Sequence, residues 1–192
     1  MEYLLLPFVE IEIRFGTFGK NFDSSIDKRY FEQIYSVLQS NQEWVSLTES
    51  KSNEIISNNV KFINGKDVIM KENVYTKTVQ LSNSPFDIRF SVNQEIKLSN
   101  DTSLLPETNT ITRNKQRKTF LHNNFKYDLT FVKETLNNVT KDKYELELEI
   151  LVNKETLSWD KKYIMDFIEC KIYDIMNIVE PVSRESFKIT LN

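Results

Sequence analysis

Along much of the chain apolar and polar residues alternate one for one, which is the period of a strand rather than a helix. In "VEIEIRFGTF", residues 9 to 18, Val9, Ile11, Ile13 and Phe15 share one face, and Glu10, Glu12 and Arg14 the other. Residues 88 to 98 divide Ile88, Phe90, Val92, Ile96 and Leu98 from Arg89, Ser91, Asn93, Glu95 and Lys97. Residues 125 to 131 divide Phe125, Tyr127, Leu129 and Phe131 from Lys126, Asp128 and Thr130. "YELELEI", residues 144 to 150, repeats the pattern with Glu145, Glu147 and Glu149. Strands are expected over 9 to 18, 68 to 81, 86 to 98, 110 to 121, 125 to 133 and 143 to 152. In "VKFINGKDVIM", Asn64-Gly65 marks a hairpin, because both residues tolerate positive φ.

Two segments change period. Over residues 23 to 40, Tyr30, Phe31, Ile34, Tyr35 and Leu38 recur at helical spacing, with Ser24 or Ser25 available as a cap. In "DKKYIMDFIECKIYDIMNIVEP", Ile164, Phe167, Ile168, Ile172, Ile175, Met176 and Val179 mark a second helical face that Pro181 stops. Residues 40 to 59, rich in Ser, Asn and Glu, read as a connection, and 99 to 109 as an exposed loop. About eight antiparallel strands bracketed by two amphipathic helices predict a mainly-β, α+β chain, either a sandwich or a closed barrel. The alternation leaves the orientation open. If the apolar faces fill a barrel, the charges are ordinary wet surface; if helices cover the apolar faces from outside, the charges must point inward.

Composition narrows the chemistry. The chain has 192 residues, of which 40% are hydrophobic, enough for a sizeable core in one domain. With 25 basic against 28 acidic residues, the net charge of −3 excludes coating of nucleic acid by bulk attraction, though not a local basic pocket. Three glycines cannot make a P-loop or a dinucleotide fingerprint, and one histidine with one cysteine cannot make a zinc site. His122 is expected to be structural or solvated, and Cys170 to be a packed thiol. No disulfide, signal peptide or transmembrane-length run is apparent, so the chain is expected to be soluble and intracellular. Any catalysis must rest on carboxylates and basic side chains.

Carboxylates two apart on a strand sit roughly 7 Å apart. Their repulsion is about 0.6 kcal/mol in water and about 2.4 kcal/mol at an effective dielectric of 20, so a confined site needs a compensating cation. Oxygen-only donors suit Mg²⁺ or Mn²⁺. In "TRNKQRKTF", Arg113, Lys115 and Arg117 share one face, a row of donors suited to a chain of phosphates, though a solvated edge strand would look the same.

The ordered set "VEIEIRFGTF", "RFSVNQE", "RNKQR", "YDLT" and "YELELEI" resembles the triphosphate tunnel metalloenzymes. Within them it is most similar to the metal-dependent RNA 5′-triphosphatases of fungal, protozoan and large DNA-virus mRNA capping. The resemblance spans residues 9 to 150. It implies an eight-stranded closed antiparallel barrel with a hydrophilic interior that takes the 5′-triphosphate end of RNA and, with Mg²⁺ or Mn²⁺, releases the γ-phosphate.

Carried over residue by residue, it makes Glu10, Glu12, Glu147 and Glu149 metal ligands, with Glu149 coordinating directly. Arg14, Arg89, Arg113, Lys115 and Arg117 become phosphate-binding residues, with Arg89, Lys115 and Arg117 also acting in catalysis. Asp128, Thr130 and Glu145 become supporting residues, and Glu95 orients or deprotonates the attacking water. Lys71 and Lys77 are unassigned candidates. No K-x-D-G motif is present, so a guanylyltransferase must be a separate domain or subunit. The chain is expected to be a single tunnel domain, free-standing or at the N-terminus of a larger capping enzyme. Its setting is expected to be cytoplasmic (viral factory or virion) or nuclear. The rivals are a tunnel enzyme acting on a small triphosphate, such as thiamine triphosphate, and a non-enzymatic β-domain that binds a partner.

Overall fold

A computed structural model describes residues 9–57, 60–81, 84–98, 110–181 and 183. Eight long or short strands close on themselves: β1 (Val9–Phe18), β3 (Ser46–Ser57), β4 (Val60–Ile63), β5 (Asp67–Val79), β6 (Asp87–Leu98), β7 (Ile111–Leu121), β8 (Phe125–Leu136) and β9 (Val139–Ile150). Their order is β1-β6-β5-β4-β3-β7-β8-β9, every neighbour is antiparallel, and β9 pairs back onto β1. A two-residue strand, β2 (Phe22–Asp23), hangs on the end of β1. The closed eight-stranded barrel is the one the resemblance implies, and closure removes the exposed sheet edges.

The alternation resolves in favour of an inward-facing charge array. The core lies outside the barrel: Ile11, Ile13 and Phe15 of β1, Tyr127 and Leu129 of β8, and Leu146, Leu148 and Ile150 of β9 are buried beneath two helices. Helix α1 (Lys28–Ser40) contributes Ile34 and Leu38, and α2 (Lys161–Val179) contributes Ile168, Ile172, Ile175 and Met176. The two lie side by side, with Gln33 Nε2 donating to the Ile178 carbonyl at 2.7 Å. Because this apolar layer is satisfied from outside, the odd-even alternation forces the charged residues of the same strands into the lumen. Among the described residues no helix is long and apolar enough to cross a membrane.

Several boundaries differ from expectation. Helix α1 starts at Lys28, not near residue 23, and its cap is Asp27, whose carboxylate accepts from Arg29 N–H at 2.7 Å. Ser24 and Ser25 instead reach β9: Ser24 Oγ donates to Glu145 at 3.2 Å, and Ser25 Oγ accepts from the Tyr144 amide at 3.2 Å. Residues 40 to 59 are no plain connection, since they contain β3, paired with β7 over eleven positions. Strands β8 and β9 run on to meet at Asn137 and Asn138, whose φ values of 50° and 62° make the tight turn. The Asn64-Gly65 hairpin forms as expected, with φ of 52° and 66°. The loop expected at 99 to 109 lies outside the described residues.

Candidate active site

The polar faces of the strands enclose a cavity of about 800 Å³. Strand β1 delivers Glu10, Glu12 and Arg14, and β9 delivers Glu147 and Glu149 beside them, with Glu12 directly opposite Glu149 and Arg14 opposite Glu147. From the other side of β1, β6 supplies Arg89, Ser91, Asn93 and Glu95. Strand β7 supplies Arg113, Lys115 and Arg117. All nine charged residues expected to bind metal or phosphate, and Glu95, therefore line one cavity.

Within it, opposite charges alternate. Arg14 lies 2.9 Å from Glu147 and 3.3 Å from Glu12. Arg117 lies 3.2 Å from Asp128 and 3.5 Å from Glu147, and its Nε donates to Thr130 Oγ1 at 3.2 Å. Lys126 bridges Glu149 at 2.9 Å and Asp128 at 3.5 Å. Arg113 is held between Glu145 and Glu134. Asp128, Thr130 and Glu145 thus each contact a basic side chain of the lumen. Glu95 meets Lys61 at 3.3 Å and Lys71 at 3.7 Å. Arg14 Nε and Arg113 Nε sit at ion-pair distance without an aligned hydrogen bond.

Burial and charge pull the carboxylates apart in acidity. Burial pushes Glu147 up, but Arg14, Arg117, Lys115 and Lys71 together hold it well below the usual carboxylate range. Glu149 goes the other way: burial and the nearby Glu10 charge outweigh Lys126 and raise it to about 7. Burial lowers Lys115, and repulsion from Arg113 adds to this, partly offset by Glu54.

Among the described residues no three acidic side chains converge into a ready ligand set. The donors nonetheless suit a hard divalent cation, being all oxygen and on adjacent strands. A cation already occupies part of this position: the Lys71 ammonium lies 2.5 Å from Glu10 and 3.1 Å from Glu12. Asn93 Nδ2 donates to the other Glu12 oxygen at 3.0 Å.

Sequence reasoning missed Glu54, which pairs with Lys115 at 2.8 Å, and Lys61, because neither β3 nor β4 was recognised as tunnel wall. Lys126 was legible as the inward neighbour of Asp128 but went unassigned. Of the two unassigned lysines, Lys71 is in the tunnel and Lys77 is not among its lining residues. A bulge between Asn73 and Tyr75 shifts the alternation between them, so that Thr76 faces the lumen and Lys77 does not. His122 lies outside the tunnel, stacked on Phe125 at 4.8 Å between centroids.

A closed barrel whose lumen alternates carboxylates with guanidinium and ammonium groups defines a charged-tunnel protein. Comparison with known proteins agrees. The family model described as mRNA capping enzyme, beta chain, matches residues 19–166, and the chain belongs to that family of mRNA capping enzymes. The S. pombe Pct1 RNA triphosphatase superposes with a TM-score of 0.69 at 18% identity, covering 95% of this chain and 90% of that one. The same protein in complex with the Spt5 CTD gives 0.65 at 16% identity, covering 95% and 89%. The Mimivirus capping enzyme triphosphatase gives 0.60 at 16% identity, covering 93% and 92%. A search of curated protein sequences finds no match. The family match begins after β1, so Glu10 and Glu12 enter the site through the fold rather than through that match.

Proposed function

We propose that the chain hydrolyses the γ-phosphate of triphosphate-ended RNA, giving diphosphate-ended RNA and phosphate, with Mg²⁺ or Mn²⁺ as cofactor. The observation that carries this reading is the convergence of Glu10, Glu12, Glu147 and Glu149 with Arg14, Arg89, Arg113, Lys115 and Arg117 on one cavity, in a chain of the capping family. Arg89, Lys115 and Arg117, with Arg14 and Arg113, take the phosphate oxygens and neutralise charge that builds on the phosphoryl group. Glu95 orients a water for in-line attack on the γ-phosphorus and accepts its proton. The bond from phosphorus to the bridging oxygen breaks, and the electron pair leaves on the diphosphate end. Glu10, Glu12, Glu147 and Glu149 would hold the divalent cation, which supplies Lewis-acid neutralisation of the phosphates. Asp128, Thr130 and Glu145 keep Arg117, Lys126 and Arg113 in place. The diphosphate end is the substrate of a guanylyltransferase, supplied by another domain or chain.

The test is release of labelled γ-phosphate from triphosphate-ended RNA with Mg²⁺ or Mn²⁺, run beside ATP and thiamine triphosphate. Faster, metal-dependent release from RNA is expected. A preference for thiamine triphosphate would move the chain to the small-triphosphate branch, and no release from any substrate would overturn the reading.

A further inference from the structure

Among the described residues eight basic side chains line the tunnel, and seven are ion-paired with a carboxylate. Arg89 is the exception among the described residues. Its Nε donates to Thr78 Oγ1 at 3.4 Å, and its guanidinium lies over the Phe22 ring, 4.5 Å from the centroid. A cation left without a counter-ion in a charge-balanced lumen is set to receive an anion from outside.

What holds Arg89 there is the fold-back of the chain after β1. Gly16 makes this possible: a Cβ on it would lie 2.0 Å from the Asp23 carbonyl oxygen and 2.8 Å from the Phe22 ring. Strand β2 therefore lies flat against the end of β1, with Phe18 directly opposite Phe22. Asp87 fixes the arrangement by accepting from the Phe18 amide at 2.7 Å and the Leu81 amide at 3.1 Å. Phe22 is committed beneath Arg89, whereas Phe18, paired opposite it, keeps 40% of its surface exposed.

We propose that this end of the tunnel is a subsite for the first nucleoside of single-stranded RNA, with Arg89 on the triphosphate and Phe18 stacked on the base. It rests on the reading that the tunnel holds the triphosphate end. A base stacked on an aromatic ring is recognised without regard to sequence, as a capping enzyme requires. It also separates an RNA end from a bare polyphosphate, which the charged lumen alone cannot do. Phe22 acts as a positioning residue for Arg89.

The test is binding of a 5′-triphosphate-ended RNA pentamer and of inorganic tripolyphosphate to the whole chain, wild type beside Phe18→Ala and Phe18→Tyr. Phe18→Ala is expected to weaken RNA binding about tenfold, within the range for loss of one base–aromatic stack. Tripolyphosphate affinity should be unchanged, and Phe18→Tyr should restore RNA binding. Equal loss for both ligands would mean that the hairpin only props the tunnel, and no loss for either would put the base elsewhere; each overturns the subsite. Failure of the wild-type protein to bind tripolyphosphate would instead contradict the tunnel reading itself.

Discussion

Strands β9 and β3 line the same tunnel, yet one announces itself in the sequence and the other does not. On β9, Leu146, Leu148 and Ile150 lie beneath the helices while Glu145, Glu147 and Glu149 face inward, so each residue differs from the next. On β3, the face away from the lumen is also wet: Leu47 and Ile55 are exposed beside Glu49, Lys51 and Asn53. With water on one side and a polar lumen on the other, "SLTESKSNEII" has no apolar face to alternate against. The comparison separates two tasks. The outer layer of β9 packs the core, and the inner layer of both strands lines the charged lumen.

The sharpest way to break this division is on β9, where neighbouring residues serve opposite sides. Glu147→Ala should lower RNA γ-phosphate release by about 10² to 10³ in the folded fraction, the scale for removing one preorganised electrostatic group, and should also lower the melting temperature because Arg14 and Arg117 lose their carboxylate. Leu148→Ala should cost about 2–5 kcal/mol in denaturant unfolding while the folded fraction keeps its turnover. If the folded fraction of Leu148→Ala loses turnover as Glu147→Ala does, the division fails.

A smaller effect should appear in pH dependence. Glu149 rises to about 7 in the folded protein against an ordinary value of 4.5. Its contribution to stability is therefore fully present below the unfolded value and lost as pH rises through about 7. In chelator, the wild-type melting temperature should fall over that window more than that of Glu149→Gln. Mg²⁺ or Mn²⁺, favouring the ionised carboxylate, should recover the wild type at high pH. The smallest effect belongs to β3: Ile55→Ser, on its wet outer face, should change stability by no more than about 0.5 kcal/mol in the same unfolding measurement.

Legibility followed the same physics. Where one face was apolar, as on β1, β6, β8 and β9, the strand and its two faces could be read from alternation, and the family resemblance decided which face was inside. Glu54 and Lys61 stayed hidden because their strands lacked that contrast. Lys71 and Lys77 could not be separated because a bulge leaves no apolar mark and changes the face of every residue after it. Asn137-Asn138 was missed because the apolar residues beside it, Leu136 and Val139, are single positions within an otherwise polar stretch from Lys133 to Lys143. Pairwise partners such as Lys115 with Glu54 are long-range facts that only closure of the barrel supplies.

The central claim is that the inward carboxylates and cations gather a divalent cation and a triphosphate at one place. Mn²⁺ bound to the protein would broaden the ³¹P resonances of tripolyphosphate held in the same lumen, so ³¹P NMR with substoichiometric protein tests the claim directly. Broadening by the wild type well beyond that of Mn²⁺ and tripolyphosphate without protein, with the excess abolished in both Glu12→Ala and Glu147→Ala, is the predicted result. No broadening beyond the protein-free level, or an excess that survives both substitutions, would contradict the account.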